Sequence, residues 1–173
     1  MTEKQYFLCD FHLDGMSRVV IWYTDLESDN GDGLLLDGSN TIATFTTLDS
    51  AHNFALARSI AIEDQDPSVY DFDAIARWSR TPHVNSIDCI VTLDAWNMLH
   101  DVVSSVDGVS EFRSMDARME DIYYKIFFGC NLASMTPEGE QFNPKWDAEE
   151  IDALVGLLAC GVRELRTALG NAQ

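Results

Sequence analysis

Between Ser86 and Val106 the apolar residues Cys89, Leu93, Trp96, Leu99 and Val103 recur at steps of four, three, three and four, and Ile90, Ala95, Met98, Val102 and Val106 widen the stripe. A helix with a broad buried face satisfies that spacing. Asp88 or Ser86 can cap its first turn, because a side-chain oxygen there accepts backbone N–H groups that have no partner within the helix. The remaining positions, Thr92, Asp94, Asn97, His100, Asp101 and Ser104, are polar. They form either a solvated helix face or part of a site. Everything else in the chain must pack around this central helix.

Strand signals come before it and helix signals after it. Residues 5–13 (QYFLCDFHL) and 18–24 (RVVIWYT) flank Asp14-Gly15 and read as an antiparallel hairpin. Segments 34–37 and 41–46 read as two further short strands around Gly38-Ser39-Asn40, and Thr47 or Asp49 is placed to cap a helix. Asp71 or Asp73 can start a short helix through Ile75 and Trp78. Met115, Met119 and Ile122 suggest another, while Tyr123–Phe128 (YYKIFF) has no period that separates helix from strand. Residues 130–146 read as loop. Asp147 followed by Glu150 is a capping-box pair, and Ile151, Leu154, Leu158, Val162, Leu165 and Leu169 give the last helix its core stripe. Gly156 and Gly161 interrupt that helix, which points to close packing. The expected fold is α+β, a small N-terminal antiparallel β-sheet packed against a helical C-terminal two-thirds, in a single domain over residues 1–173.

Charge is the strongest global signal. The 29 acids and 11 bases give a net charge of -18. The excess is not a tail effect: residues 1–80 carry 14 acids and 5 bases, residues 81–173 carry 15 and 6, and each part is net -9. Such a field repels nucleic acid and anionic membranes and attracts basic proteins. Direct nucleic-acid or membrane binding is therefore not expected. MTEKQYFL has neither the basic start nor the apolar run of a signal peptide, and no segment reaches the roughly 20 apolar residues of a membrane span, so a cytoplasmic protein is expected. Cys9, Cys89, Cys130 and Cys160 are far apart in sequence and read as buried free thiols.

Catalytic and metal signatures are weak. The string Asp25–Gly31 starts like a calcium loop, but Asn30 stands where that loop needs glycine and Leu36 where it needs a bidentate glutamate. Gly31-Asp32-Gly33 lacks the third glycine of a dinucleotide loop, and the four histidines show no metal-ligand spacing. His100 beside Asp101 is the only neighbouring His–acid pair, and consecutive helical residues do not face each other. No cofactor, metal or catalytic residue is expected.

Three segments in the second half carry a family likeness: LDAWNMLHDV (93–102), YYKIFFGCNLASMTPEG (123–139) and FNPKWDAEEI (142–151). The order runs from a helix with a Trp-Asn pair, through an aromatic stretch with lysine leading to Gly-x-Asn-Leu and Thr-Pro, to Trp before a capped helix. It resembles the immunity proteins of bacterial contact-dependent growth inhibition and related polymorphic-toxin systems, over roughly half the chain. The resemblance implies a non-enzymatic cytoplasmic protein that neutralises one cognate toxin C-terminal domain, a basic RNase or DNase being the expected kind. Trp96, which lies on the apolar stripe, Asn97, which can satisfy buried backbone groups nearby, Trp146 and Thr136-Pro137 are assigned to maintaining the fold. Opposite charge would raise the association rate to as much as ~10⁸–10⁹ M⁻¹s⁻¹ at low salt, and protection needs a Kd near ~1 nM, about -12 kcal/mol. The expected partner surface is the two acidic loops with a neighbouring aromatic: Glu27, Asp29 and Asp32 in the first, and Glu63, Asp64, Asp66, Tyr70, Asp71 and Asp73 in the second. Two other readings remain open, an acidic nucleic-acid mimic that inhibits a different protein and a small hydrolase using His100 or Asp101.

Overall fold

The structure is a computed structural model that describes residues 4–25, 27, 31–83, 87–106, 112 and 116–170. An N-terminal sheet is followed by a run of helices. Strand β1 (Lys4–Leu13) and strand β2 (Met16–Asp25) form the expected hairpin, paired from Lys4↔Asp25 to Leu13↔Met16. Its tip places Asp14 at φ 56° and Gly15 at φ 69°. Two consecutive left-handed residues match the right-handed twist of the flanking strands, and Asp and Gly accept that backbone readily. Strand β3 (Gly33–Leu34) adds antiparallel to β2. The two short strands expected over 34–37 and 41–46 reduce to β3 and two isolated bridges, Leu36↔Ile42 and Val19↔Phe45.

The sheet is mixed rather than wholly antiparallel. Strand β4 (Ser68–Asp71) lies parallel to β1, from Cys9↔Ser68 to His12↔Asp71, giving the order β3-β2-β1-β4. The second acidic segment is therefore not loop throughout. Residues 68–71 of it are drawn onto β1 by a pairing some 60 residues distant, which a stretch of four residues is too short to announce locally.

Helix α1 (Leu48–Leu56) starts at Thr47, whose side chain pairs reciprocally with Ser50 in a capping box. It covers one face of the sheet, where Ala51 and Ala55 pack with Leu8, Val19 and Ile21. The other face meets the remaining helices. These are α2 (Phe72–Arg80), α3 (Cys89–Ser105), α4 (Ala117–Gly129) and α5 (Ala148–Ala168), capped by Asp71, Asp88, Asp116 and Asp147 respectively. Cys9, Phe11, Leu13 and Val20 from the sheet join Phe72, Trp96, Leu99, Ile122, Leu158 and Leu165 in the main core. The aromatic run left unassigned between helix and strand is part of α4, continuous with the turn expected around Met119.

Helix α3 is the central helix, with two corrections to its face. Ile90 is 54% exposed, whereas Thr92 is buried at 7%. The buried arc is thus rotated towards Thr92, away from the first-turn isoleucine. Helix α5 crosses α3 closely at Gly161, where an added methyl would lie 2.7 Å from Leu99 Cδ1 and 2.7 Å from Phe112 Cε2. Gly156 has no such neighbour and is exposed, so close packing explains one of the two glycines and not the other.

The segments that carry the family likeness act in folding. Lys125 Nζ donates to the Lys145 carbonyl at 2.8 Å and to Glu150 Oε1, and stands 5.1 Å from the centre of the Trp146 ring. Glu150 also completes the α5 capping box with Asp147. Asn131, at φ 48°, accepts from the Phe142 N–H at 2.7 Å and donates to the Phe142 carbonyl at 3.0 Å, closing the loop between them. Trp96 is 2% exposed and meets Tyr123 edge to face at 5.3 Å. Asn97 does not reach buried backbone groups. It is exposed, and its Oδ1 accepts from the Tyr123 hydroxyl at 3.0 Å.

The hairpin tip is tied to two helices. The N–H groups of Asp14 and Gly15 donate to the two carboxylate oxygens of Asp73 at 2.8 and 2.9 Å. Arg166 grips Asp14 with two parallel bonds, Nε to Oδ2 at 2.9 Å and Nη2 to Oδ1 at 2.8 Å. That hydrogen-bonded guanidinium holds the Asp14 carboxyl below the usual carboxylate range. Folding therefore draws stability from Asp14 above the unfolded carboxylate value and loses it as pH falls through the lower folded value. Asp14→Asn keeps a residue suited to φ > 0, and near neutral pH it should cost at most about 1 kcal/mol for this half-exposed pair. The gap between the two proteins should close from about pH 4 downward, as urea midpoints taken across that range will show. In α5, Gly161→Ala should destabilise by about 1–3 kcal/mol, while Gly156→Ala should stabilise by up to about 1 kcal/mol. Equal effects of the two in chemical denaturation would contradict the close crossing.

Candidate functional site

Helix α2 and the end of α5 cover the hairpin-tip end of the sheet, and among the described residues its far end is left open to a cleft. Alternation along β1 and β2 turns Phe7, Cys9 and Trp22 towards the helical layer. Across from them stands the polar flank of α3. The two sides enclose a cleft of about 500 Å³. Phe7, Cys9, Trp22 and Tyr70 line it from the sheet, and Asp94, Asn97, Met98, His100 and Asp101 line it from α3. Asp32, Gln65, Ser68 and Tyr123 complete the wall.

Two hydrogen bonds set the separation of helix and sheet. Trp22 Nε1 donates to Asp101 Oδ2 at 2.9 Å, and the Leu34 N–H donates to Ser105 Oγ at 2.8 Å. Ser105 in turn donates to the Asp101 carbonyl at 2.7 Å, so both anchors sit on one turn of α3. The Phe7 and Trp22 rings pair at 5.6 Å between centres, with their planes tilted by 42°. Tyr70 packs edge-on to Phe11 at 5.7 Å.

The cleft is electrostatically one-sided. It holds the carboxylates of Asp32, Asp94 and Asp101, and among the described residues lining it there is no lysine or arginine. His100 Nδ1 lies 3.8 Å from Asp101 Oδ1, a loose contact for an exposed imidazole. Burial pushes the Cys9 thiol up to about 12, with the negative charge of Asp101 adding to the effect. Burial likewise raises the Tyr70 hydroxyl, helped by Cys9, Asp94 and Asp101. Partial desolvation, then repulsion from Asp88, raises the Asp94 carboxyl. Burial disfavours the charged form of each group, and the neighbouring carboxylates add to the cost of a further negative charge. Cys9 is correspondingly unsuited to thiolate chemistry near neutral pH.

The expected partner residues fall into three groups. Asp32 and Tyr70, one from each acidic segment, are brought together in the cleft wall. Glu27, Glu63, Asp64 and Asp66 are exposed on the surface. The Glu27 N–H donates to Asp25 Oδ1 at 3.2 Å, and the Glu63 N–H donates to the Tyr6 carbonyl at 2.8 Å, which lays the second segment along β1. Asp71 and Asp73 are engaged in hydrogen bonds at the surface of the fold: Asp71 accepts from the Ala74 N–H at 2.8 Å as the α2 cap, and Asp73 holds the hairpin tip. Asp29 lies outside the described residues. The cleft residues not singled out from sequence are Phe7, Cys9, Trp22, Gln65, Ser68 and Tyr123. Strand alternation groups Phe7, Cys9 and Trp22 on one face, but nothing local says that this end of the face stays uncovered.

No family model matches the chain, and no curated protein or solved structure matches it. Among the described residues no group of three or more His, Cys, Asp or Glu is placed to hold a metal ion, and no helix is long and apolar enough to cross a membrane. None of the four cysteines is in a disulfide; Cys9, Cys89 and Cys130 are buried and Cys160 is half-buried. With a value of about 12, the Cys9 thiol is ionised to only about one part in ten thousand at pH 8. Iodoacetamide at that pH should therefore modify Cys160 at least about tenfold faster than Cys9 in the native protein. Mass spectrometry of tryptic peptides at timed intervals measures both rates, and fast labelling of Cys9 would refute its buried, neutral state.

Proposed function

We propose that this chain is a cytoplasmic, non-enzymatic immunity protein that binds and neutralises a basic toxin domain of the kind found in bacterial contact-dependent growth inhibition. The observation that carries this reading is the convergence of both acidic segments on one cleft with three carboxylates and no basic residue among its described lining, within a chain of net charge -18. An enzyme would need a nucleophile or an acid–base pair at this site. Cys9 is kept protonated by its surroundings, and His100 is exposed with only a loose contact to Asp101. A binding protein needs shape, apolar area and complementary charge, and the cleft with its rim supplies all three.

The partner surface in this reading is Asp32 of the cleft wall with the exposed Glu63, Asp64 and Asp66, which flank the cleft residue Gln65 in sequence, rather than the whole of both loops. The anchored pair Asp71 and Asp73 serves the fold. The test is binding to the toxin C-terminal domain encoded beside this protein, followed by stopped-flow and calorimetry. Raising salt from about 0.05 to 0.5 M shortens the screening length several-fold and should slow association by about tenfold or more. The double reversal Asp32→Lys with Asp64→Lys should raise Kd by at least about tenfold, or 1.4 kcal/mol. Glu138→Lys with Glu140→Lys, on the distant loop closed by Asn131, should change it by less than about twofold. Undetectable binding at micromolar concentration, or equal effects of the two pairs, would overturn the proposal.

A further inference from the structure

We propose that the cleft between α3 and the open end of the sheet is a receptor for a single arginine side chain presented by the basic partner. This inference rests on the binding reading above and specifies which group the partner inserts.

Four features of the cleft select the ligand. Its volume of about 500 Å³ lies within the range of small-ligand sites and exceeds what a bare ion needs. Its carboxylates are dispersed over Asp32, Asp94 and Asp101, and among the described residues no group gathers to metal-ligating geometry. Dispersed acceptors suit a cation whose charge and donors are themselves spread out. The Phe7–Trp22 pair provides an aromatic wall, which attracts a weakly hydrated planar cation through the ring quadrupole. Finally, one oxygen of Asp101 is committed to the Trp22 N–H, which fixes the carboxylate against that ring, and among the described residues Oδ1 has the 3.8 Å approach of His100.

Among protein side chains, guanidinium meets all of these. It is planar, stacks on aromatic faces, carries five donors in a rigid fork and gives up its hydration more readily than ammonium does. Lysine concentrates its charge on one strongly hydrated nitrogen and would satisfy fewer of the separated acceptors at once. Anionic ligands face the three carboxylates without a counter-charge.

The full-length protein, labelled with ¹⁵N, can be titrated with N-acetyl-L-arginine amide at constant ionic strength while the Trp22 indole N–H signal is followed. The expected result is a saturable shift of that signal at millimolar probe, with N-acetyl-L-lysine amide binding at least about threefold more weakly. Asp94→Asn changes an exposed residue on α3 and should weaken the arginine probe at least about threefold with an unchanged circular dichroism spectrum. A non-saturating shift, equal response to both probes, or an unaltered affinity in Asp94→Asn would overturn the inference. Tight binding of the toxin domain with no arginine-probe response would remove the arginine receptor and leave the immunity reading intact. Probe binding at Trp22 in a protein that no basic toxin domain engages would support the receptor and remove the immunity reading instead.

Discussion

The bond from the Trp22 indole to Asp101 joins the two parts of this fold. On one side stands the hairpin, formed by local pairing and a two-residue turn. On the other stands α3, the helix against which α4 and α5 pack. A hydrogen bond to a carboxylate is worth about 1.5–3 kcal/mol, but its geometric effect is the larger one. With the Leu34–Ser105 bond one turn further along, it fixes α3 at a distance from the sheet that neither core cluster sets alone. Apolar side chains fill the space at the hairpin-tip end, where Phe11, Leu13 and Phe72 are wholly buried. At the other end the same spacing stays open and becomes the cleft.

The acids of this chain have three distinct uses, and the difference between them is positional rather than compositional. Asp71, Asp88, Asp116 and Asp147 satisfy the first turns of four helices. Asp14, Asp73, Asp101 and Glu150 tie distant segments together through hydrogen bonds. Others, such as Asp32, Asp64 and Asp66, are exposed and contribute to the outward field. The net charge of -18 is therefore partly internal scaffolding, and the number of carboxylates available to a partner is smaller than the composition suggests.

Features that depend on near neighbours were legible in the sequence. The Asp14-Gly15 turn, the Thr47 and Asp147 caps and the apolar stripes of α3 and α5 each follow from a few adjacent residues. Features that depend on remote contacts were not. Strand β4 exists because β1 offers it an edge, and its four residues, SVYD, are too few to show a strand period although Val69 and Tyr70 favour one. The role of Asp73 depends on backbone N–H groups 58 and 59 positions away. YYKIFF reads as helix only once α3 and α5 supply surfaces for Ile122 and Ile126 while Tyr124 and Phe128 stay half exposed. The cleft was half visible: the polar flank of α3 and the residues Asp32 and Tyr70 were in view, but the aromatic wall opposite needed the sheet's tertiary cover to be known.

The two-way clasp of Asn131 on the Phe142 backbone shuts the loop at its neck. The ten residues inside include Met135, Thr136 and Pro137, which share a hollow with Phe128 of α4. Chain length within a closed loop is thermodynamically forgiving, since each doubling costs only about 0.6 kcal/mol of closure entropy. A change in the length of that interval is therefore thermodynamically cheap while the neck, Lys125 and the Asp147–Glu150 box hold the helices in register.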